Sequence, residues 1–161
     1  MTRVTRAAIT LRRARSDDAE RLLQWRNDPQ TRRWYLQRAR VPRRDHEGWL
    51  SLKLADRACR IYIVEERGTP VGQLRVERIA PGAAEVSLSV DAAARGRAIG
   101  SAMLERAAAA ARRELRARKL LAHVRPENVP SAVAFLKAGF RFTRLERHGG
   151  ATTYVFVRML A

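Results

Sequence analysis

Between Val90 and Gly100 the chain reads Val-Asp-Ala-Ala-Ala-Arg-Gly-Arg-Ala-Ile-Gly. Here a strand ends, a loop of small residues follows, and a long helix begins at once. Small side chains let backbone N–H groups approach an anion closely. A helix N-terminus adds unsatisfied donors and the positive end of the helix dipole. Arg95 and Arg97 bring full charges, and Gly96, Ala98, Ile99 and Gly100 bring amides. This suits a pyrophosphate. The competing reading is a Gly/Ala-rich strand-to-helix turn with no ligand. Downstream come Asn128, Ser131 and then Phe135-Leu136-Lys137-Ala138-Gly139-Phe140. No His/Cys/Asp cluster has metal-ligand spacing, so no metal is expected. Cys59 starts a strand and reads as a small apolar filler rather than an acyl carrier. His148, beside Gly149, reads as a hairpin residue.

The elements that must position these residues follow from periodicity and punctuation. Ile9 to Ala14 reads as a strand, and Ser16-Asp17-Asp18 as an N-cap for a helix over Glu20 to Arg26. Asp28-Pro29 restarts a short helix, Tyr35 to Pro42 is a loop, and Arg43 to Ala55 is helical. Three strands follow: Arg60 to Glu66, Val71 to Ile79 and Glu85 to Val90. The turns between them fall at Gly68-Thr69-Pro70 and Pro81-Gly82. Ile99 to Leu115 is a long helix with Ile99, Met103, Ala107, Ala111 and Leu115 on one stripe. Leu120 to Val124 is a strand, and Pro130 to Ala138 is a helix stopped by Gly139. Phe140 to Arg147 and Thr152 to Leu160 form a final hairpin around Gly149-Gly150. This order implies a mixed α/β (α+β) layer fold with helices covering a mainly antiparallel sheet.

Composition bounds the rest. At 161 residues the chain is expected to be one domain that needs no disulfide or metal staple. The single Cys59 argues against a secreted disulfide scaffold. The longest apolar stretch, Ala107 to Ala111, is too short to span a bilayer. Met1 to Ala7 is followed by no apolar signal region, so a cytoplasmic location is expected. The net charge is +17, from 33 Lys+Arg against 16 Asp+Glu. Only Lys53, Lys119 and Lys137 are lysine, so the arginine excess reflects GC-rich coding as much as a partner. Nucleic acid is therefore an unlikely ligand, while phosphorylated small molecules suit the same field.

At Arg95 to Gly100 and at Asn128 to Phe140 the chain resembles the GNAT superfamily of acyl-CoA N-acyltransferases. The loop is similar to that family's R/Q-x-x-G-x-G/A motif as Arg95-x-x-Ala98-x-Gly100, with Ala98 in place of the first glycine. The downstream stretch is similar to N-x-x-S-x-x-x-Y-x-x-x-G-F, with Phe135 where tyrosine is usual. The element order matches over nearly the whole chain. The resemblance implies one GNAT domain over residues 1–161, with strands Glu85–Val90 and Leu120–Val124 splayed to admit acetyl-CoA. Pantetheine would pair with the backbone of Leu88, Ser89 and Val90. The pyrophosphate would lie on the amides of Arg95, Gly96, Arg97, Ala98, Ile99 and Gly100, with Ser101 adding a hydroxyl. Asn128 would hold or bridge to the pantetheine, with Ser131 and Phe135 following in the same motif. His123 lies on the strand beside this cleft. Glu85 occupies the position where several members place a glutamate base, acting on the acceptor amine through water. Its other reading is an ordinary edge-strand carboxylate. A backbone N–H near Leu88 or Ser89 would polarise the thioester carbonyl. Phe135 has no proton to give, so water, Tyr154, Tyr35 or Ser131 is left to protonate the thiolate.

The acceptor side would be built from the first helices and the final hairpin. There stand Trp25-Arg26-Asn27-Asp28-Pro29, Arg32-Arg33-Trp34 and His46-x-x-Trp49. This resembles a subgroup that contains acetyltransferases of UDP-linked 4-amino-sugars of the pseudaminic-acid route and of ribosomal-protein N-termini. Trp25 and Trp49 read first as core. Arg26, Asn27, Arg32, Trp34 and His46 are the candidate acceptor-binding residues. Their arginine excess favours a diphosphate over a cationic drug, since guanidinium is well matched to phosphate. A nucleotide-linked amino-sugar is therefore the first expectation and a protein N-terminus the second. An acyl-CoA-binding protein without chemistry, consistent with Phe135 and Ala98, is a third. A homodimer through the C-terminal strands is compatible with the pattern.

Overall fold

The computed structural model describes residues 8–161. The signal-segment reading of Met1 to Ala7 lies outside the described residues. The chain forms β1 (Ile9–Arg13), α1 (Ala19–Asn27), α2 (Pro29–Trp34) and α3 (Arg43–Ala55). A meander of β2 (Cys59–Glu66), β3 (Thr69–Ala80) and β4 (Ala83–Val90) follows. Then come α4 (Ile99–Leu115), β5 (Lys119–Val124), α5 (Val129–Lys137), β6 (Arg141–His148) and β7 (Ala151–Met159). All seven strands join one sheet in the order β1-β2-β3-β4-β5-β7-β6, antiparallel except where β4 meets β5.

Alternation along the strands sorts the helices onto two faces. Tyr62 and Val64 of β2 join Leu74, Val76, Ala84 and Val86 in the core beneath α4 and α5. Ile61 and Ile63 point the other way and meet Leu22 and Trp25 of α1 and Leu50 of α3. The predicted stripe of α4 is buried throughout, from Ile99 through Met103, Ala107 and Ala111 to Leu115. Among the described residues no helix is long and apolar enough to cross a membrane.

One turn differs from the sequence expectation. Arg67 and Gly68, at φ 51° and 81°, make the β2–β3 turn, and Thr69 and Pro70 already belong to β3. A two-residue hairpin loop of this twist needs positive φ at both central positions, which proline cannot adopt. Gly72 has a separate task. A Cβ there would sit 2.5 Å from the Ser89 carbonyl oxygen, so only glycine lets β3 approach β4 at this level.

Candidate active site

The parallel pairing of β4 with β5 covers Ala83–Lys119, Ala84–Leu120 and Glu85–Leu121, and then stops. Beyond that point β4 stays with β3 as far as Val90, while β5 stays with β7 as far as Val124. A wedge therefore opens between Val86–Val90 and Ala122–Val124. On the β4 side, the backbone of Leu88, Ser89 and Val90 has no strand partner across it. Ser89 is buried and accepts from Gln73 Nε2 at 3.3 Å.

The loop after β4 is fixed by side chains so that its amides are left for other work. Asp91 accepts from the Ala93 N–H at 2.9 Å, which caps the 3-10 turn Ala92–Ala94. It also accepts from Trp25 Nε1 at 2.7 Å, tying the loop to α1. Gly96 and Ala98 both have positive φ, at 76° and 61°. Ala98 is the N-cap of α4 and provides no side-chain cap, so the first N–H groups of that helix keep their donors. Gly100 and Ser101 lie in this first turn.

The arginine charges expected at the pyrophosphate are directed elsewhere. Arg95 Nη2 donates to Asp28 Oδ2 at 2.7 Å and to Thr31 Oγ1 at 2.9 Å. Arg97 Nη2 reaches both Glu66 oxygens, at 2.6 and 2.8 Å. Charge-assisted pairs are the strongest hydrogen bonds within reach, and both guanidiniums are already half-buried beside carboxylates. These two side chains anchor the loop to α2 and to β2. Burial pushes the Asp28 carboxyl up, but Arg95 and the Thr31 N–H and hydroxyl outweigh it and hold it below the usual carboxylate range.

The downstream motif divides between capping and core. Asn128 Oδ1 accepts from the Ser131 N–H at 3.3 Å and so caps α5. The Phe135 ring is buried, edge-on to Phe140 at 4.9 Å and stacked over Phe156 at 5.8 Å. As a consequence Phe135 packs the core, with only 4% of its surface exposed.

The side expected to take the acceptor carries a cluster of arginines and aromatic rings. The Arg26 guanidinium lies 4.0 Å from the centre of the Tyr35 ring and donates to the Gln37 carbonyl at 2.7 Å. Arg75 lies 5.4 Å from the Trp49 ring, and Trp49 is 5.6 Å from His46. Burial raises the Tyr35 phenol above its ordinary value against the pull of Arg26, Arg75 and Ser89. Arg125 donates to the Tyr35 and Leu36 carbonyls, holding this loop over the mouth of the wedge. Arg26 Nη1, Arg32 Nε and His46 Nδ1 are buried without a hydrogen-bond partner.

Two of the sequence expectations on this side are corrected, those of Asn27 and Trp49. Asn27 uses both ends of its amide on the Val41 backbone, donating at 2.9 Å and accepting at 2.8 Å, so it pins the α2–α3 loop. His46 is buried, and burial together with Arg26 keeps its imidazole below its ordinary range. Trp49, read first as core, is 37% exposed. Trp34 is half-buried with Arg33 at 5.0 Å from its ring, while Trp25 is core as expected.

A second group was missed. Glu85 of β4, His123 of β5 and His148 of β6 place one ligand-capable atom each within 4.8 Å of one another. They lie far apart in sequence, so no spacing rule could find them. β7 lies between β5 and β6, and the end of the β6–β7 hairpin carries the His148 ring to 3.7 Å from that of His123. The hairpin residue His148 thus becomes a member of the site. Burial and His148 hold the His123 imidazole below its ordinary range, against the pull of Glu85 and Glu146.

The sequence pattern of the acetyltransferase (GNAT) domain matches residues 8–141. The chain belongs to that family. This GNAT enzyme is an N-acetyltransferase with acetyl-CoA as co-substrate. No curated protein matches the sequence. Among solved structures, aminoglycoside acetyltransferase AAC(6')-Ib in complex with ribostamycin and coenzyme A is similar with a TM-score of 0.85 at 19% identity, covering 94% of this chain and 93% of the other. The spermidine N-acetyltransferase from Vibrio cholerae, in complex with CoA and spermine, gives 0.86 at 16% identity, covering 96% of each chain. A protein designated a phosphinothricin N-acetyltransferase gives 0.79 at 27% identity, covering 95% of this chain and 99% of the other.

Proposed function

We propose that this acetyltransferase acts on a primary amine carried by a small anionic molecule, and that the acceptor is a nucleotide-linked amino-sugar. The arginine–aromatic cluster carries this reading. Arg26 lies over Tyr35 and Arg75 beside Trp49, whereas the neighbouring carboxylates are already engaged, Asp28 by Arg95 and Glu77 by Lys53 and, at 3.9 Å, by Arg75. Guanidinium suits a diphosphate, and an exposed indole suits a flat base. A polycationic acceptor would meet repulsion at the same cluster. Phosphinothricin, an amino acid that bears a phosphinate, is a simpler anion of the same sign.

In this reading acetyl-CoA enters the wedge. Its pantetheine lies along Leu88 to Val90 as a partner strand, and its pyrophosphate lies on the loop amides from Gly96 to Gly100. Ser101 adds a hydroxyl, and Asn128 and Ser131 flank the arm at the start of α5. Arg95 and Arg97 hold the loop in shape through Asp28 and Glu66. Glu85 stands where β4 and β5 part, and there it takes the proton from the acceptor ammonium through water. The neutral amine attacks the thioester carbon, the C–S bond breaks, the nitrogen releases its second proton to solvent as the amide forms, and the thiolate takes a proton from solvent or a nearby hydroxyl. Glu85→Gln is expected to lower kcat/KM about a hundredfold below the amine pKa. The gap should narrow as pH rises and the free amine accumulates. Parallel pH–rate profiles for the two proteins would remove Glu85 as the base.

The acceptor is tested by thiol release from acetyl-CoA. A UDP-4-amino-4,6-dideoxy-sugar, phosphinothricin, spermine, ribostamycin and a peptide N-terminus are run side by side. Fastest release with the sugar nucleotide is expected. Turnover with phosphinothricin alone would keep the anionic site and discard the nucleotide. Turnover only with spermine or ribostamycin, or only with the peptide, would overturn the proposal.

A further inference from the structure

Glu85, His123 and His148 converge from three strands, and each side chain is half-buried. The two imidazole rings stack in parallel, 3.7 Å between centroids and 6° between planes. The tautomer of His123 follows from its neighbours. The Thr153 hydroxyl has one proton and donates it to the Glu146 carbonyl at 3.2 Å. With that proton on the Glu146 carbonyl, the Thr153 oxygen is left to accept from His123 Nδ1, which lies 3.1 Å away. With the proton on Nδ1, His123 presents the lone pair of Nε2. Thr153 is fully buried, so this orientation is set by the sheet rather than by solvent.

A histidine whose second nitrogen donates to a fixed partner is oriented the way metal-ligating histidines are. Two imidazoles and a carboxylate form the donor set of a three-ligand zinc site that leaves a fourth position open. Zinc at ~2.0–2.1 Å from each tetrahedral ligand separates the ligand atoms by roughly 3.3 Å. A shared ion lies in the plane of both ligating rings, so His148, at the hairpin end beside Gly149, must turn off the stack while His123 stays held by Thr153.

We propose that Glu85, His123 and His148 bind one divalent transition-metal ion of the zinc class at the acceptor side of the cleft. Bound metal holds the Glu85 carboxylate. Metal occupancy and proton abstraction by Glu85 are then mutually exclusive, and the ion acts as a reversible brake on transfer. The braking clause rests on the role proposed for Glu85; the binding site does not.

The test is calorimetric titration of the whole chain with ZnCl2 alone. One site is expected in the wild type. His123→Gln and His148→Gln should each weaken binding at least a hundredfold, and Thr153→Val should weaken it ten- to a hundredfold through the lost orientation. Each variant's thermal melt verifies that it is folded, and Thr153→Val is close to isosteric. Absence of a stoichiometric site in the wild type would overturn the proposal. So would folded His123→Gln and His148→Gln proteins that bind zinc as the wild type does. Acetyl transfer is read separately, with each protein compared with its own zinc-free rate. Inhibition in the wild type that disappears in His148→Gln supports both the site and the brake. Zinc uptake without inhibition retains the site and counts against Glu85 as the base.

Discussion

Ala98 holds a left-handed backbone, φ 61° and ψ 22°, at the first turn of α4. A Cβ in that region costs about 1–2 kcal/mol, partly offset by the greater unfolded freedom of glycine. Ala98→Gly is therefore expected to stabilise the protein by about 0.5–1 kcal/mol, read from urea midpoints. It should also lower the KM for acetyl-CoA by removing a methyl group beside the loop amides. An unchanged or lower midpoint would show that the left-handed turn is not the resting conformation. The small residues around Ala98 were legible in the sequence because backbone access is a local property. The fate of Arg95 and Arg97 was not, because Asp28 and Glu66 stand 67 and 31 residues away. Phe135 was read for what it lacks, a hydroxyl; the structure shows what it supplies, a ring between Phe140 and Phe156.

At the scale of elements, the wedge depends on how closely β3 supports β4. Gly72 pairs with Val90, and a Cβ at Gly72 would press on the Ser89 carbonyl and the Val90 Cα. Neither contact is a flexible side-chain end, so the strand itself must move. Gly72→Ala is expected to cost about 1–3 kcal/mol of stability, like other overpacking changes. The KM for acetyl-CoA should rise several-fold, because a shift of β4 carries through to the opposite edge, the one proposed for pantetheine. Wild-type affinity in a destabilised variant would separate the strand's packing from its proposed binding role. The strands and α4 were readable from alternation and from the apolar stripe. The splay was not readable from periodicity, because Val86 to Val90 alternates in the same way whether or not β5 accompanies it. It entered through the family resemblance. The triad of Glu85, His123 and His148 was invisible because it depends on strand order, which a linear pattern does not encode.

Over the whole molecule, ion pairs join elements that sequence separates. Arg12 grips Asp18 at 2.9 Å, Arg95 grips Asp28, and Glu114 of α4 receives Tyr62 and Arg60 of β2. Arg12 holds the Asp18 carboxyl below its ordinary range against burial, and Asp28 is lowered as described. Burial pushes Glu114 up, but Tyr62, Arg113, Arg60 and Arg13 outweigh it. A carboxylate with a lowered folded pKa contributes stability that is whole above its unfolded value, about 3.9 to 4.3, and is lost as pH falls through the folded value. The melting temperature should therefore fall between pH 6 and pH 3. Asp28→Asn, already lacking one of these pairs, should show a smaller drop over the same interval. Equal drops would place the acid sensitivity elsewhere. The open seam between β4 and β5 has a consequence of another kind. Amide protons of Val86 to Val90 that point away from β3 have no acceptor across the wedge, so they stand open to hydrogen exchange in the middle of a sheet. In the proposed binding mode pantetheine lies along that edge, serves as the absent strand and takes up those protons. Folding and loading are then thermodynamically linked, and at a hundred times its dissociation constant acetyl-CoA adds about 2.7 kcal/mol to the native state. The resting protein is a sheet with one place left open, and the proposed binding mode has its own reactant complete it.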